Sequence, residues 1–388
     1  MPDSAWPRQF DRLEDPACNL VIIQPTPFCN INCRYCYLPD RSNRKHLALE
    51  TLHNISSALF TSGLLSQRTT VVWHAGEPLV MPISFYESAF DIMESYNFSG
   101  IDVTHAFQSN GTLLSRAWCD FIKSRGVRIG LSLDGPKFLH DASRVDRLGK
   151  GTFERTMAGL RLLQEHYIRF HIIMVLTQAA LKHPDEVWGF CMQEQLADLC
   201  FNVEEAEGAN LHSSLEHCDA DSLYRAFLSR IVDLRGRFAP NVHIREIDPL
   251  LSNIKFGDRD IRSAENTPFS ILSFDCDGNF STFSPELLTM KHSQLGRFIF
   301  GNVRADSLRN LTNHEHYIRV AADIRSGIQR CRRECDYFSM CGGGAPVNKL
   351  CENGTFDSTE TFYCRLRIKA AVDVGLIHLE NELQIRKR

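Results

Sequence analysis

From residue 20 to about 235 the chain alternates short runs of β-branched and other apolar residues with longer amphipathic stretches. Six runs read as strands: Leu20 to Gln24, Thr70 to His74, Asp102 to Gln108, Val127 to Leu133, Phe170 to Thr177 and Leu199 to Glu204. Between them apolar positions recur at helical spacing, as in Ala48, Leu52, Ile55 and Leu59, which puts one stripe on a core. Six strand-helix units in series predict an α/β fold with a parallel sheet and right-handed crossovers. Ligands of such sheets sit at the carboxyl ends of the strands. Cys29, Cys33 and Cys36, Gly76-Glu77-Pro78, Gln108-Ser109-Asn110-Gly111 and Asp134-Gly135-Pro136 each follow a strand, so the pattern predicts one site assembled from several loops.

After residue 235 the alternation fades, and Pro240, Pro249, Pro268 and Pro285 punctuate a less regular region. The predicted organisation is a tail over residues 1–16, a strand-helix domain over 17–235 and a second region over 236–388. The stretch from Cys331 to Cys364 is rich in cysteine and glycine and poor in long apolar runs, so it is expected to fold around metal rather than a large core. A helical stretch from Ala370 to Leu383 follows. The 28 residues before Cys29 are too few for a further folded peptide-binding domain.

The 388 residues carry a formal net charge of -4, which gives no global electrostatic reason to expect nucleic acid or an anionic membrane as partner. No apolar stretch approaches the ~20 residues of a membrane span, and no signal-peptide core precedes residue 17, so a soluble cytoplasmic protein is expected. Of 14 cysteines, Cys18, Cys119, Cys191, Cys200 and Cys218 are isolated and read as small buried hydrophobes. The others are clustered, and without a secretion signal metal binding explains them better than disulfides. The C-x3-C-x2-C spacing of Cys29, Cys33 and Cys36 offers three thiolates, where iron-sulfur clusters usually take four, leaving one coordination position open. A zinc or electron-transfer site with a fourth ligand from elsewhere is the alternative.

The triad and its flanking aromatic residues resemble the signature of radical S-adenosylmethionine (SAM) enzymes, whose open iron chelates the amino acid end of the cofactor. The resemblance implies a partial (β/α)6 barrel, a [4Fe–4S] cluster on Cys29, Cys33 and Cys36, and SAM. His74-Ala75-Gly76-Glu77-Pro78 is similar to the family's Gly-Gly-Glu-Pro turn, in which Gly76 and Glu77 would meet the cofactor's amino group. Ser132 and Arg144 would bind its carboxylate or ribose. Asp134 is equally readable as a structural partner of Arg144. Cys331, Cys335, Cys341, Cys351 and Cys364 resemble the SPASM extension, which implies a C-terminal iron-sulfur domain and at least one auxiliary [4Fe–4S] cluster, held by Cys331, Cys335, Cys341 and Cys364. A structural zinc would accept the same four thiolates. Cys276 and Cys351 match two positions of another auxiliary cluster, although Thr282-Phe283-Ser284 stands where a further cysteine is expected.

Gln24 to Ser42, Phe201-Asn-Val-Glu-Glu and Phe283-Ser-Pro-Glu-Leu are similar to the GrrM/OscB-type maturases, which form three-residue cyclophanes in ribosomally made precursor peptides. That resemblance implies a precursor peptide as substrate and an electron donor such as flavodoxin or ferredoxin. It also implies hydrogen abstraction from a side-chain β-carbon by a 5′-deoxyadenosyl radical, then carbon-carbon bond formation to an aromatic ring. The auxiliary cluster would accept an electron and a carboxylate the ring proton; Glu204, Glu205 and Glu286 are candidates, and each is also readable as a solvated or ion-paired structural acid. Formylglycine formation, thioether formation and epimerisation are the rival SPASM chemistries, and a non-catalytic iron-sulfur or zinc protein is the rival outside enzymes.

Overall fold

The computed structural model describes residues 18–216, 219–256 and 262–386. The tail over 1–16, Cys218 and the last two residues lie outside the described residues. Seven strands run parallel in chain order: β1 (Cys18–Ile23), β2 (Leu65–Trp73), β3 (Asp102–Ser109), β4 (Arg128–Ser132), β5 (Phe170–Leu176), β6 (Asp198–Val203) and a short β7 (His243–Ile244). The crossovers are α1 (Leu49–Thr61), α2 (Ile83–Tyr96), α3 (Arg116–Ser124), α4 (Lys137–Ser143) with α5 (Phe153–Glu165), α6 (Gln178–Leu181) with α7 (Pro184–Gln193), and α8 (Ala220–Phe238). After α9 (Asp248–Phe256), β8 (Ile271–Phe274) returns to the sheet and pairs with β1 in parallel, on the side away from β2. β9 (Asn279–Thr282) and, after the small hairpin of β10 (Lys291–His292) and β11 (Gly296–Arg297), β12 (Gly301–Asn302) extend that side antiparallel. The order β12-β9-β8-β1-β2-β3-β4-β5-β6-β7 has two free ends, so the barrel is partial and open. The sheet continues on both sides past residue 235.

Two apolar clusters hold the helices on the sheet. Under β1 to β3, Trp73 packs edge-on against Phe85 and Tyr86 of α2, and the buried Tyr86 hydroxyl donates to the Pro78 carbonyl at 2.8 Å, fixing the turn that follows β2. Under β4 to β7, Tyr224, Phe227, Leu228, Ile231 and Val232 form the buried stripe of α8. Cys18, Cys119, Cys191 and Cys200 are buried in these layers.

The C-terminal region is α10 (Glu315–Glu334), α11 (Phe338–Cys341), α12 (Pro346–Asn353), α13 (Phe362–Cys364), a π-helical turn over Arg365–Ala370 and α14 (Ala371–Arg386). Apolar packing also reaches this region, including part of the stretch from Cys331 to Cys364 that was expected to fold around metal rather than a large core. Tyr317, Val320, Ile324 and Ile328 of α10, with Val347, Leu350 and Phe356, join the same apolar cluster as β1 to β3. Cys331 is the next position on that buried face of α10, so apolar packing already places one of the clustered thiols.

Gly159 of α5 lies against the turn after β3, where an added Cβ would come 2.3 Å from the Gly111 carbonyl oxygen. Alanine is normally the better helix residue by about 1 kcal/mol. Here Gly159→Ala is expected to reverse that sign and destabilise the protein by about 1–3 kcal/mol through overpacking. Thermal unfolding checks this; a raised melting temperature would show the helix free to move.

Candidate active site

The loop that follows β1 is pinned from both flanks. Gln24 Nε2 donates to the Ala75 carbonyl at 2.7 Å, the Cys29 N–H to the Arg41 carbonyl at 3.1 Å, and Arg41 in turn to the Cys33 carbonyl at 2.9 Å. On the other flank the Asn32 and Arg34 N–H groups donate to the Val145 and Ser143 carbonyls at 2.7 and 2.9 Å. Arg147 donates through Nε and Nη2 to the Cys29 carbonyl at 3.0 and 2.7 Å. The sequence reading missed Arg147: a lone arginine bonding a carbonyl 118 positions away leaves no local signal.

After β2, Ala75 takes φ of 67° and Gly76 of 122°. A Cβ on Gly76 would lie 2.1 Å from the Thr26 carbonyl oxygen, so this close approach to the cysteine loop requires glycine. The Glu77 N–H donates to the Phe28 carbonyl at 2.9 Å. The Glu77 carboxylate is 1 % exposed and accepts three hydrogen bonds: from the Leu79 N–H at 3.0 Å, the Ser109 hydroxyl at 2.7 Å and the Asn110 N–H at 2.8 Å. Burial outweighs these donors and raises its pKa to about 7. Asn110 also donates to Asn30 Oδ1 at 2.9 Å and lies 3.8 Å from Cys29 Sγ.

Asp134 is the ion-pair partner of Arg144, with 3.1 Å between Nε and Oδ1 and both groups buried. It also accepts from the Tyr35 hydroxyl at 2.5 Å and the Val175 N–H at 3.0 Å. Arg144 Nη1 lies 3.9 Å from Cys33 Sγ, so the paired guanidinium faces the cysteine loop. The Ser132 hydroxyl accepts from Gln108 Nε2 at 3.0 Å.

Cys29, Cys33, Cys36, Gly76, Glu77, Ser132 and Arg144 all line one cavity of about 270 Å³. Burial, reinforced by Glu77, pushes the Cys29 thiol up to about 12, and burial pushes Cys33 up to about 11 despite Arg144. Metal uptake there must therefore displace protons. His74 lines the same cavity; burial lowers its pKa to about 4, and its buried Nδ1 has no partner among the described residues. Three soft thiol donors, a carboxylate, a guanidinium and an unbonded imidazole nitrogen fit an iron-sulfur cluster bearing a polar, zwitterionic ligand.

A second cavity, about 420 Å³, is lined by Cys331, Cys335, Cys341 and Cys364 together. The Gly343 N–H points to Cys341 Sγ at 3.4 Å, and Gly342, Gly343 and Gly344 all take positive φ in the chain that turns around the thiols. Four thiols on one cavity match the ligand number of an iron-sulfur cluster and of a structural zinc alike.

Cys276 and Cys351, read as ligands of another auxiliary cluster, are not among the residues that line these two cavities. Cys276 is buried in the β8–β9 turn with Asp275, Asp277 and Lys45 as charged neighbours, whereas Cys351 of α12 neighbours Glu205 and Glu207. Where further cysteine was expected, the Thr282 hydroxyl donates to the Ile271 carbonyl at 2.9 Å and accepts from the Phe269 N–H at 2.8 Å.

Between the two cysteine sites lies a third cavity of about 320 Å³. It shares Asn202, Glu205, Glu207 and Glu286 with the triad cavity and Glu265, Tyr363 and Arg367 with the four-thiol cavity, so the three form one run. Burial and mutual repulsion hold Glu205, Glu207 and Glu286 above the ordinary carboxylate range. Glu205 is fixed by a hydrogen bond from Asn348 Nδ2. Glu204, the remaining acid candidate, is instead tied to Ser214, accepting from its N–H at 2.8 Å and from its hydroxyl.

The raised Glu77 pKa sets a pH dependence. Between its unfolded value near 4.5 and about 7 the unfolded state gives up a proton that the folded state keeps, so this group lowers stability as pH rises through that window. In cofactor-free protein, Glu77→Gln is expected to gain up to about 3 kcal/mol on its parent between pH 4.5 and pH 8, at about 1.4 kcal/mol per pKa unit. Urea unfolding at the two pH values measures this; a pH-independent difference would refute it.

The family model described as the Radical SAM superfamily matches residues 23–186. The uncharacterized protein sll1766 of Synechocystis sp. is 45% identical over 369 residues, covering 94% of this chain and 93% of that protein. The cysteine-type anaerobic sulfatase-maturating enzyme of Clostridium perfringens is 24% identical, covering 90% and 94%. Two solved structures share the fold: native anSMEcpe with bound AdoMet and Cp18Cys peptide, at TM-score 0.76, 21% identity and coverage of 93% and 98%, and Streptococcus suis SuiB bound to precursor peptide SuiA, at 0.62, 14%, 90% and 76%. With three thiols, a glycine-glutamate turn and a buried arginine gathered at the carboxyl edge of the sheet, the chain belongs to the radical SAM superfamily, enzymes whose cofactors are a [4Fe–4S] cluster and S-adenosylmethionine.

Proposed function

We propose that this enzyme modifies a ribosomally synthesised precursor peptide, joining an aromatic ring to a side-chain β-carbon in a three-residue cyclophane. The observation that carries this reading is the run of cavities from the cysteine triad, through buried carboxylates, to the four-thiol site. In the reading, residues 17–235 are the catalytic barrel, and residues 236–388 are a bridging region and auxiliary-cluster domain. Cys29, Cys33 and Cys36 hold the reactive cluster; Cys331, Cys335, Cys341 and Cys364 hold one auxiliary [4Fe–4S] cluster. When bound, the reactive cluster and SAM supply a 5′-deoxyadenosyl radical that removes hydrogen from an unactivated carbon.

The chain's own part is placement and proton handling. Glu77 accepts three protein hydrogen bonds of the roughly four a carboxylate can take, leaving one for an ammonium group. Arg144, held by Asp134, offers its remaining donors to a carboxylate, and Ser132 a hydroxyl to a ribose. Glu205 and Glu286, whose pKa values burial raises to about 8 and about 7, exchange a proton near neutral pH, as a base accepting the ring proton must, and burial raises Glu207 as well. Electrons would come from a flavodoxin or ferredoxin.

Formylglycine formation is the second reading, favoured by likeness to a sulfatase-maturating enzyme across 90% of the chain. The test is anaerobic reconstitution with iron and sulfide, then reaction with dithionite, SAM and a small precursor encoded beside the gene. A cyclophane predicts 5′-deoxyadenosine and a peptide lighter by two hydrogens, with a block to fragmentation and no aldehyde. A hydrazide-reactive aldehyde supports formylglycine instead, and an intact cluster that yields no 5′-deoxyadenosine sinks both.

Iron content follows from the cysteine assignments. The reconstituted protein is expected to hold about eight iron atoms, and the Cys29→Ser/Cys33→Ser/Cys36→Ser variant about four, with no 5′-deoxyadenosine formed. About twelve in the parent would support Cys276 and Cys351 as ligands of a further cluster.

A further inference from the structure

We infer that Lys349 is the built-in counter-charge of the auxiliary cluster and sets how readily that cluster is reduced. This rests on the reading of Cys331, Cys335, Cys341 and Cys364 as an iron-sulfur site. Lys349, on α12, is 4 % exposed and lines the four-thiol cavity. Its ammonium donates to Cys331 Sγ at 3.3 Å, and among the described residues it forms no ion pair with a carboxylate. Two other cations on this cavity pair with acids: Lys369 with Glu360, and Arg367 with Glu246 at 3.4 Å. The fold makes room for Lys349, since a Cβ on Gly327 of α10 would come 3.2 Å from its Nζ and 2.1 Å from the Phe356 carbonyl oxygen.

Burying an ammonium is costly unless its lost hydration is replaced by strong acceptors, and an uncharged thiol is a weak one. A thiolate changes the balance, since charge-assisted hydrogen bonds are roughly twice as strong as neutral ones. A four-cysteine iron-sulfur centre is anionic and gains a further negative charge when it accepts an electron. A fixed positive charge on one ligand sulfur therefore favours the reduced form over the oxidised one, and hydrogen bonds to sulfur act in the same direction. Two consequences follow for this lysine. Its removal lowers the reduction potential of the cluster, and its effect on stability changes sign between the iron-loaded and iron-free protein.

The test uses the full chain carrying Cys29→Ser/Cys33→Ser/Cys36→Ser, so that the auxiliary centre is the cluster observed. Lys349→Met and Lys349→Arg are compared with this parent in a dithionite titration followed by electron paramagnetic resonance. Lys349→Met is expected to lower the reduced-to-oxidised ratio at fixed potential at least tenfold, a shift of about 59 mV for a one-electron couple, while Lys349→Arg stays within threefold of the parent. A Lys349→Met protein with full iron and an unshifted midpoint overturns the inference. If that variant fails to keep its cluster, urea unfolding decides: iron-free Lys349→Met must be more stable than iron-free parent, and equal or lower stability overturns the inference. If the parent itself holds no cluster, the auxiliary-cluster reading fails first and the role of Lys349 with it.

Discussion

The carboxylate of Glu77 is the constraint on which the active-site geometry depends. Its oxygens accept from the turn after β2 and from the end of β3, while its own N–H bonds to the cysteine loop after β1. Three strand ends are thereby tied at one buried point. A charge in that position is poorly solvated, which the raised pKa records. The arrangement becomes favourable when a cation is supplied, and a ligand ammonium would do so. Cofactor binding and the alignment of the loops are in this sense one equilibrium.

Much of the barrel was legible because its strands are short β-branched runs ended by turn residues, as in Val71-Val72-Trp73 before Ala75-Gly76 or Leu131-Ser132 before Asp134-Gly135. The packing face of α10 was not, since Arg319, Asp323, Arg325 and Arg330 interleave with its buried positions and mask the apolar stripe. The pairing of β8 with β1 joins residues about 250 positions apart and has no local signature. At the site, cysteine spacing carried the information, because ligand chemistry restricts both residue type and separation. What spacing does not carry is the surroundings of a thiol: Cys276 has Lys45 and two aspartates as charged neighbours. Arg147 and Lys349 escaped notice because a single basic residue takes its meaning from distant backbone or sulfur.

The interior between the two thiol sites is polar, unlike the aliphatic linings common in small-molecule pockets. Glu205 is held by Asn348, and the neighbouring Lys349 touches Cys331, so adjacent residues of α12 face the acidic cavity and the thiol cavity. One short helix thus stands between the acidic cavity and the four-thiol cavity.

β1 lies between β2 and β8, paired on both flanks, with Ile22 opposite Val72 on one side and Ser273 on the other. A strand so enclosed opens only when the sheet as a whole does, because neither neighbour can peel away alone. Its amide protons should be among the slowest in the chain to exchange with solvent. The cysteine loop is therefore anchored to a strand braced on both flanks, so that a disturbance of the loop need not loosen the sheet that carries it.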